Sequence, residues 1–132
     1  DIKRKGDDVT IVSFGKIIKE AYKAAEVLEK DGISCEIIDL RTVRPLDYNT
    51  VFESVKKTNR LVVLEEAWPF GNVATDITYQ VQHHLFDYLD APVEKINTAD
   101  TPAPYSPVLL KEWLPNSENV ISAVKKVLYV KA

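Results

Sequence analysis

Two adjacent glutamates, two adjacent histidines and one cysteine are the side chains in this sequence best equipped for chemistry. Glu65 and Glu66 close the apolar run Leu61-Val62-Val63-Leu64, a stretch that reads as a strand buried on both faces. Neighbouring strand residues point to opposite faces, so the two acids are not a paired dyad of the glycosidase kind. One is expected inward and hydrogen-bonded near the following loop, the other outward. His83 and His84 sit in a helical pattern about 100° apart, which prevents them from facing one metal together. They read as a solvated pair near a helix end, favourable against its dipole. The junction Ser13-Phe14-Gly15-Lys16 is where an α/β fold would cradle a phosphate, yet neither G-x-G-x-x-G nor G-x-x-x-x-G-K-[ST] occurs. It reads as a plain tight turn, with an anion at the helix N-terminus as the alternative. Cys35 lies in an apolar run and has no second cysteine to pair with, as expected of core packing in a reducing compartment. No catalytic, cofactor-binding or metal-ligating set is assigned, and the function is expected to lie in what the chain assembles with.

The glutamates lead into Ala67-Trp68-Pro69-Phe70-Gly71, where an ordinary connection would be small and polar. Large aromatics on a stiff loop at a strand end are anchor material for a partner surface. The alternative is that both rings fold back onto their own core.

Strands alternating with helices must position these residues. Val9 to Phe14, Ser34 to Leu40, Leu61 to Glu66 and Val93 to Thr98 read as four strands. Lys16 to Lys30 carries Ile17, Ile18, Ala21, Ala25 and Leu28 at helical spacing, and Gly32 follows as a C′ glycine. Asp47 reads as the N-cap of a helix from Tyr48 to Thr58, with Leu46 and Val51 at the spacing of a hydrophobic staple. Asn72 to Leu89 is a third helix with Val73, Ile77, Val81, Leu85 and Tyr88 on one stripe. Asn116 or Ser117 caps a last one, with Val120, Ile121, Val124, Val127 and Leu128 inward. Four prolines between residues 99 and 116 mark a long, partly extended connection. Such alternation demands parallel pairing with right-handed crossovers. The expected fold is a single α/β domain over residues 1–132, a three-layer α/β/α sandwich on a mostly parallel sheet. The four strands, numbered in sequence, take the order 2-1-3-4. Ile2 to Lys5 can hairpin back through Gly6-Asp7-Asp8 as a short antiparallel edge strand.

Composition narrows the partners. A length of 132 residues with 45% hydrophobic and 28% charged residues suits one globular domain. A net charge of −3 argues against nucleic acid, which needs a basic surface. No apolar run approaches the roughly 20 residues that span a bilayer, so no membrane role is expected. There is no methionine, and the chain begins at Asp1 without a signal-peptide pattern. It reads as a piece of a longer polypeptide, with a cytoplasmic location expected.

Three blocks carry a resemblance: Asp8 to Val12, Cys35 to Asp47 with its Arg41-Thr42-Val43-Arg44-Pro45-Leu46-Asp47 segment, and Glu65 to Gly71. A fourth is Asp90-Ala91-Pro92 followed by Ala99-Asp100-Thr101-Pro102-Ala103-Pro104-Tyr105. Together they resemble the C-terminal domain of the E1 β subunit in the thiamine-diphosphate-dependent 2-oxoacid dehydrogenase family, over nearly the whole chain. Trp68-Pro69-Phe70-Gly71 and Pro104-Tyr105 resemble the pyruvate dehydrogenase branch more than the branched-chain one.

The resemblance implies oxidative decarboxylation of pyruvate and acetyl transfer by the parent enzyme. Thiamine diphosphate and Mg²⁺ would be held outside this segment, none of them by this domain. It implies three partners: a second β subunit across a two-fold axis, an E1 α subunit, and the subunit-binding domain of the E2 dihydrolipoyl acyltransferase. Asp90 and the C-terminal end at Val130 resemble the E2 contact, although Lys131-Ala132 extend past it. Glu65, Trp68, Pro69, Phe70, Pro104 and Tyr105 are the expected subunit-interface residues. The same domain from a branched-chain dehydrogenase, a transketolase or a 1-deoxyxylulose-phosphate synthase stays open, as does a stand-alone flavodoxin-like binding module.

Overall fold

A computed structural model describes residues 2–40, 47–65, 73–97 and 115–130. Its centre is built from the two most apolar segments, β2 (Val9–Ser13) and β4 (Leu61–Leu64), every residue of which is buried. They pair in parallel, Thr10 opposite Leu61 through Ser13 opposite Leu64. β3 (Cys35–Asp39) runs parallel on the other side of β2, and β5 (Glu94–Ile96) parallel beyond β4. With β1 (Ile2–Arg4) added, the order is β1-β3-β2-β4-β5. Leaving aside the edge strand β1, this is the expected 2-1-3-4.

Side chains alternate across the sheet and divide the core in two. Val9, Ile11, Cys35, Ile37, Val62 and Leu64 pack beneath α1 (Ile18–Lys30) and α4 (Ser117–Val127). Val12, Ile38, Leu61 and Val63 pack against α2 (Tyr48–Thr58) and α3 (Val73–Leu85). That is the three-layer sandwich, with a buried helix stripe on each face. Cys35 is fully buried, and burial pushes its thiol up to about 12, so it is a packing residue with almost no thiolate at neutral pH.

The helix ends follow their local chemistry. Asp47 accepts from the Thr50 N–H at 3.2 Å, as an N-cap should. At the start of α4 Asn116 and Asn119 form a reciprocal capping box, at 2.9 and 3.0 Å. Gly32 takes φ +80° after α1, and the Ile33 N–H reaches the Leu28 carbonyl at 3.0 Å in a Schellman closure.

Three expectations need correction. Ile2–Arg4 is an antiparallel edge strand, but it does not fold back on β2. It crosses to β3, with Ile2 opposite Ile38 and Arg4 opposite Ile37. Gly6 makes this crossing possible, because a Cβ there would lie 2.2 Å from the Cys35 carbonyl carbon. The third helix ends at Leu85 and tightens into a 3-10 turn, Phe86–Tyr88, which swings Tyr88 off the inward stripe and leaves it 45% exposed. The last strand is also shorter than expected, three residues of intermediate burial. The staple partner Leu46 lies outside the described residues.

Candidate functional site

The C-terminal end of β4 delivers Glu65 to the interior. Its side chain is 2% exposed, accepting from the Ala74 N–H at 3.3 Å and from the Asn97 side-chain amide at 3.4 Å. Burial raises its pKa, partly offset by the Ala74 N–H and by Lys95. Glu65 thus ties the first turn of α3 and the segment after β5 to the strand end, the inward role expected of one of the two acids. Glu66, Trp68, Pro69, Phe70, Pro104 and Tyr105 lie outside the described residues.

The phosphate-type junction is occupied by structural bonds. The Ser13 hydroxyl donates to the Leu64 carbonyl at 2.9 Å and Gly15 turns the chain at φ +81°. His83 and His84 are both exposed, their rings edge-on at 4.8 Å, with His83 stacked on Tyr79 and His84 against Phe52. Among the described residues no group of three or more His, Cys, Asp or Glu side chains could hold a metal ion. The described residues therefore do not fit a Mg²⁺–diphosphate unit. No described helix is long and apolar enough to cross a membrane.

A different constellation forms at the opposite edge of the sheet, where the N-terminal end of β4 meets the ends of α2, α3 and α4. Asn59 closes α2 in the left-handed conformation, at φ 65°. Its amide donates to the Tyr88 carbonyl at 2.7 Å, and its own carbonyl accepts from the Asp90 N–H at 2.9 Å. These two bonds fix the turn that presents Asp90, whose carboxylate is 56% exposed and lies 3.7 Å from the Arg60 guanidinium. Arg60 Nε donates to the Val127 carbonyl at 3.0 Å, one of the unpaired carbonyls at the end of α4.

The chain then leaves α4 through Tyr129 at φ 58°, in a second Schellman closure where the Val130 N–H reaches the Lys125 carbonyl at 2.9 Å. A tyrosine in this position is strained by roughly 1–2 kcal/mol, which is why glycine is usual there. Its hydroxyl donates to the Asp90 carbonyl at 3.4 Å. Tyr129, Phe86 and Pro92 border an open groove of about 600 Å³ with Asp87 and Asp90 on its rim. Tyr129 and Phe86 are 72% and 74% exposed. The Asp90 turn and the Val127–Tyr129 end of α4 are thus joined by Arg60 and Tyr129. Neither of these two bridging residues was singled out from the sequence. Arg60 directly before an apolar strand and an aromatic after a helix lacking a C′ glycine were the available signals.

The chain matches the family described as "Transketolase, C-terminal domain" over residues 1–120. It is 52% identical over 130 residues to the "Pyruvate dehydrogenase E1 component subunit beta" of Rickettsia bellii, covering 98% of this chain and 40% of that protein. It is 45% identical to the mitochondrial protein of the same description from Dictyostelium discoideum, over 96% of this chain and 35% of that one. The chain therefore spans well under half the length of these relatives. Among solved structures, a split-gene transketolase described as an inactive β4 tetramer superposes with a TM-score of 0.86 at 28% identity, over 100% of this chain and 43% of that one. A 2-oxoglutarate:ferredoxin oxidoreductase from Magnetococcus marinus shares the fold alone, at a TM-score of 0.61 and 13% identity, over 97% of this chain and 20% of that one. Mostly parallel five-stranded sheet, two-sided helix packing and a family match over residues 1–120 agree: the chain belongs to the transketolase C-terminal domain family.

Proposed function

We propose that this chain is the C-terminal domain of the E1 β subunit of a pyruvate dehydrogenase complex, and that its work is assembly and docking. The observation that carries the reading is the Asp90 surface. An exposed acid is held on a fixed turn beside exposed aromatics, in a chain about half identical to E1 β subunits. Thiamine diphosphate and Mg²⁺ belong to the parent enzyme and are held by residues outside this chain. The activity of the parent is oxidative decarboxylation of pyruvate with acetyl transfer to the lipoyl groups of E2, in a reducing compartment such as the cytoplasm.

The E2 partner follows from the exposed chemistry at Asp90, and the subunit partners from the family resemblance. Asp90 and the Tyr129–Val130 end take up the basic subunit-binding domain of the E2 acyltransferase. Trp68-Pro69-Phe70 and Pro104-Tyr105, which the family resemblance assigns to subunit contacts, anchor the second β subunit and the α subunit. Glu65, assigned to the same contacts, holds the first turn of α3 to the end of β4.

The test uses the assembled enzyme carrying Asp90→Asn. Decarboxylation of pyruvate with an artificial electron acceptor stays at the wild-type rate, while affinity for the E2 subunit-binding domain falls by about 1–3 kcal/mol at low salt. The difference shrinks as salt is raised, because screening already removes part of the wild-type attraction. Equal affinity of wild type and variant at low salt removes Asp90 from the docking site.

A further inference from the structure

The Asp90 turn and the end of α4 are far apart in sequence, yet they meet on one surface. Arg60 stands between them. Its backbone is fixed: the Thr10 N–H and the Thr58 hydroxyl both donate to its carbonyl, at 2.9 and 3.0 Å. Its side chain is 25% exposed and reaches both segments, with Nε on the Val127 carbonyl at 3.0 Å and a terminal nitrogen 3.7 Å from Asp90. The first contact is a hydrogen bond within normal range and the second is longer than one. The guanidinium is therefore anchored on the end of α4 by a hydrogen bond and held to Asp90 by a looser ion pair. Among the described residues no other cation contacts the Asp90 carboxylate.

Tyr129 makes the same connection from the other side. It holds an unfavourable φ of 58° with its hydroxyl directed at the Asp90 carbonyl. A glycine would relax the backbone but would drop that bond and remove a wall of the groove.

We infer that Arg60 is a positioning residue of the docking surface, joining the Asp90 turn to the end of α4 so that a cationic partner meets both as one rigid patch. The inference rests on the docking function proposed for Asp90. Its sign is opposite to that of simple electrostatics. A cation beside the acid should weaken attraction of another cation, so removing it would tighten binding if charge were its only effect. If positioning dominates, removal loosens the bound complex.

The experiment measures association and dissociation of the E2 subunit-binding domain on the assembled enzyme for wild type, Asp90→Asn, Arg60→Met, Arg60→Lys and Tyr129→Gly. Arg60→Met should raise Kd about tenfold through faster dissociation, with association unchanged or faster. Unlike the loss in Asp90→Asn, this loss persists at high salt. Arg60→Lys keeps the charge but replaces the planar fork with one ammonium, and should recover only part of the affinity. Tyr129→Gly separates surface from fold: its melting temperature stays level or rises, while Kd increases about fivefold through dissociation. Unchanged or tighter binding by Arg60→Met or by Tyr129→Gly, with Asp90→Asn still weakened, overturns the role of Arg60 and leaves the docking site standing. Unchanged binding by Asp90→Asn as well removes the docking site and the inference with it.

Discussion

Glu36 and Glu65 are both almost wholly buried, and their surroundings push them in opposite directions. Burial alone would raise Glu36, but Lys57 at 2.5 Å, the Ser54 hydroxyl at 2.5 Å and the Gly6 N–H at 3.3 Å outweigh it and hold its pKa below the ordinary range. Among the described residues no cation forms an ion pair with Glu65, so burial outweighs the Ala74 N–H and Lys95 and its pKa rises. The linkage signs follow. Glu36 contributes stability that is present above the unfolded-state pKa near 4.5 and is lost as pH falls through its lowered value. Glu65 contributes stability that is fully present below that pKa and is lost as pH rises through its raised value. Urea midpoints measured across mildly acidic pH should therefore separate the two variants. Glu36→Gln should lie well below wild type at neutral pH, with the gap closing as acid is added. Glu65→Gln should show the gap widening in acid. Parallel pH curves for the two would contradict the opposed surroundings. The buried place of Cys35 was legible in its apolar run, and so was an inward acid at the end of β4, but not that it is Glu65. The Glu36 network was not read, although Ser54, Lys57 and Thr58 share one helix face at the i, i+3, i+4 interval that marks a common side. A strand acid is recognisable as buried only once the helix covering it is known.

Helices depend on their ends, and here those ends are largely written in the sequence. Asp47 caps α2, and the Thr50 N–H and hydroxyl bonded to it hold its carboxyl below the usual carboxylate range. Asp47→Ala should cost about 1 kcal/mol by denaturant unfolding, the usual loss of an N-cap, whereas Asp47→Ser should recover most of it. A cost under a few tenths would mean that the helix is held by Val51 and Val55 in the core alone. The boundaries of α2 and the C′ role of Gly32 could be read directly because polar caps and glycine are local signals. Tyr88 could not be placed, because its stripe continues smoothly past Leu85. The tightening into a 3-10 turn is fixed by a tertiary bond from Asn59, 29 residues away, to the Tyr88 carbonyl. Lys56 also lies over the Tyr88 ring at 5.6 Å, so exposing this aromatic brings it a cation contact.

For the molecule as a whole, alternation of apolar strands with amphipathic helices sufficed to give layer order and strand order, because parallel crossovers have one favoured hand. The docking role proposed for the Asp90 surface rests on the family resemblance. The parts of that surface come from the end of α2, the turn after α3 and the end of α4, and no periodicity in the sequence links them. Bound chemistry also belongs to this scale. Since the described residues supply no cluster able to hold a metal, calorimetric titration of the isolated chain with thiamine diphosphate and Mg²⁺ should give no stoichiometric site. A low-micromolar site would show that this segment holds the cofactor itself, and the division of labour proposed above would fail.

The crossing of β1 at Gly6 bears on how the protein stays dispersed. An uncovered strand offers its unpaired amides and carbonyls to any other chain, and β3 would be such an edge without β1. Three residues laid antiparallel along it, two of them basic, fill those bonds and leave a short charged border that a second sheet cannot extend. Replacing Gly6 with alanine drives a methyl into the Cys35 and Glu36 backbone, at 2.2–2.5 Å, where nothing can yield. Detachment of β1 would then turn a closed border into a template for intermolecular pairing. Gly6→Ala should reveal this as concentration-dependent light scattering on gentle warming, before the helices melt.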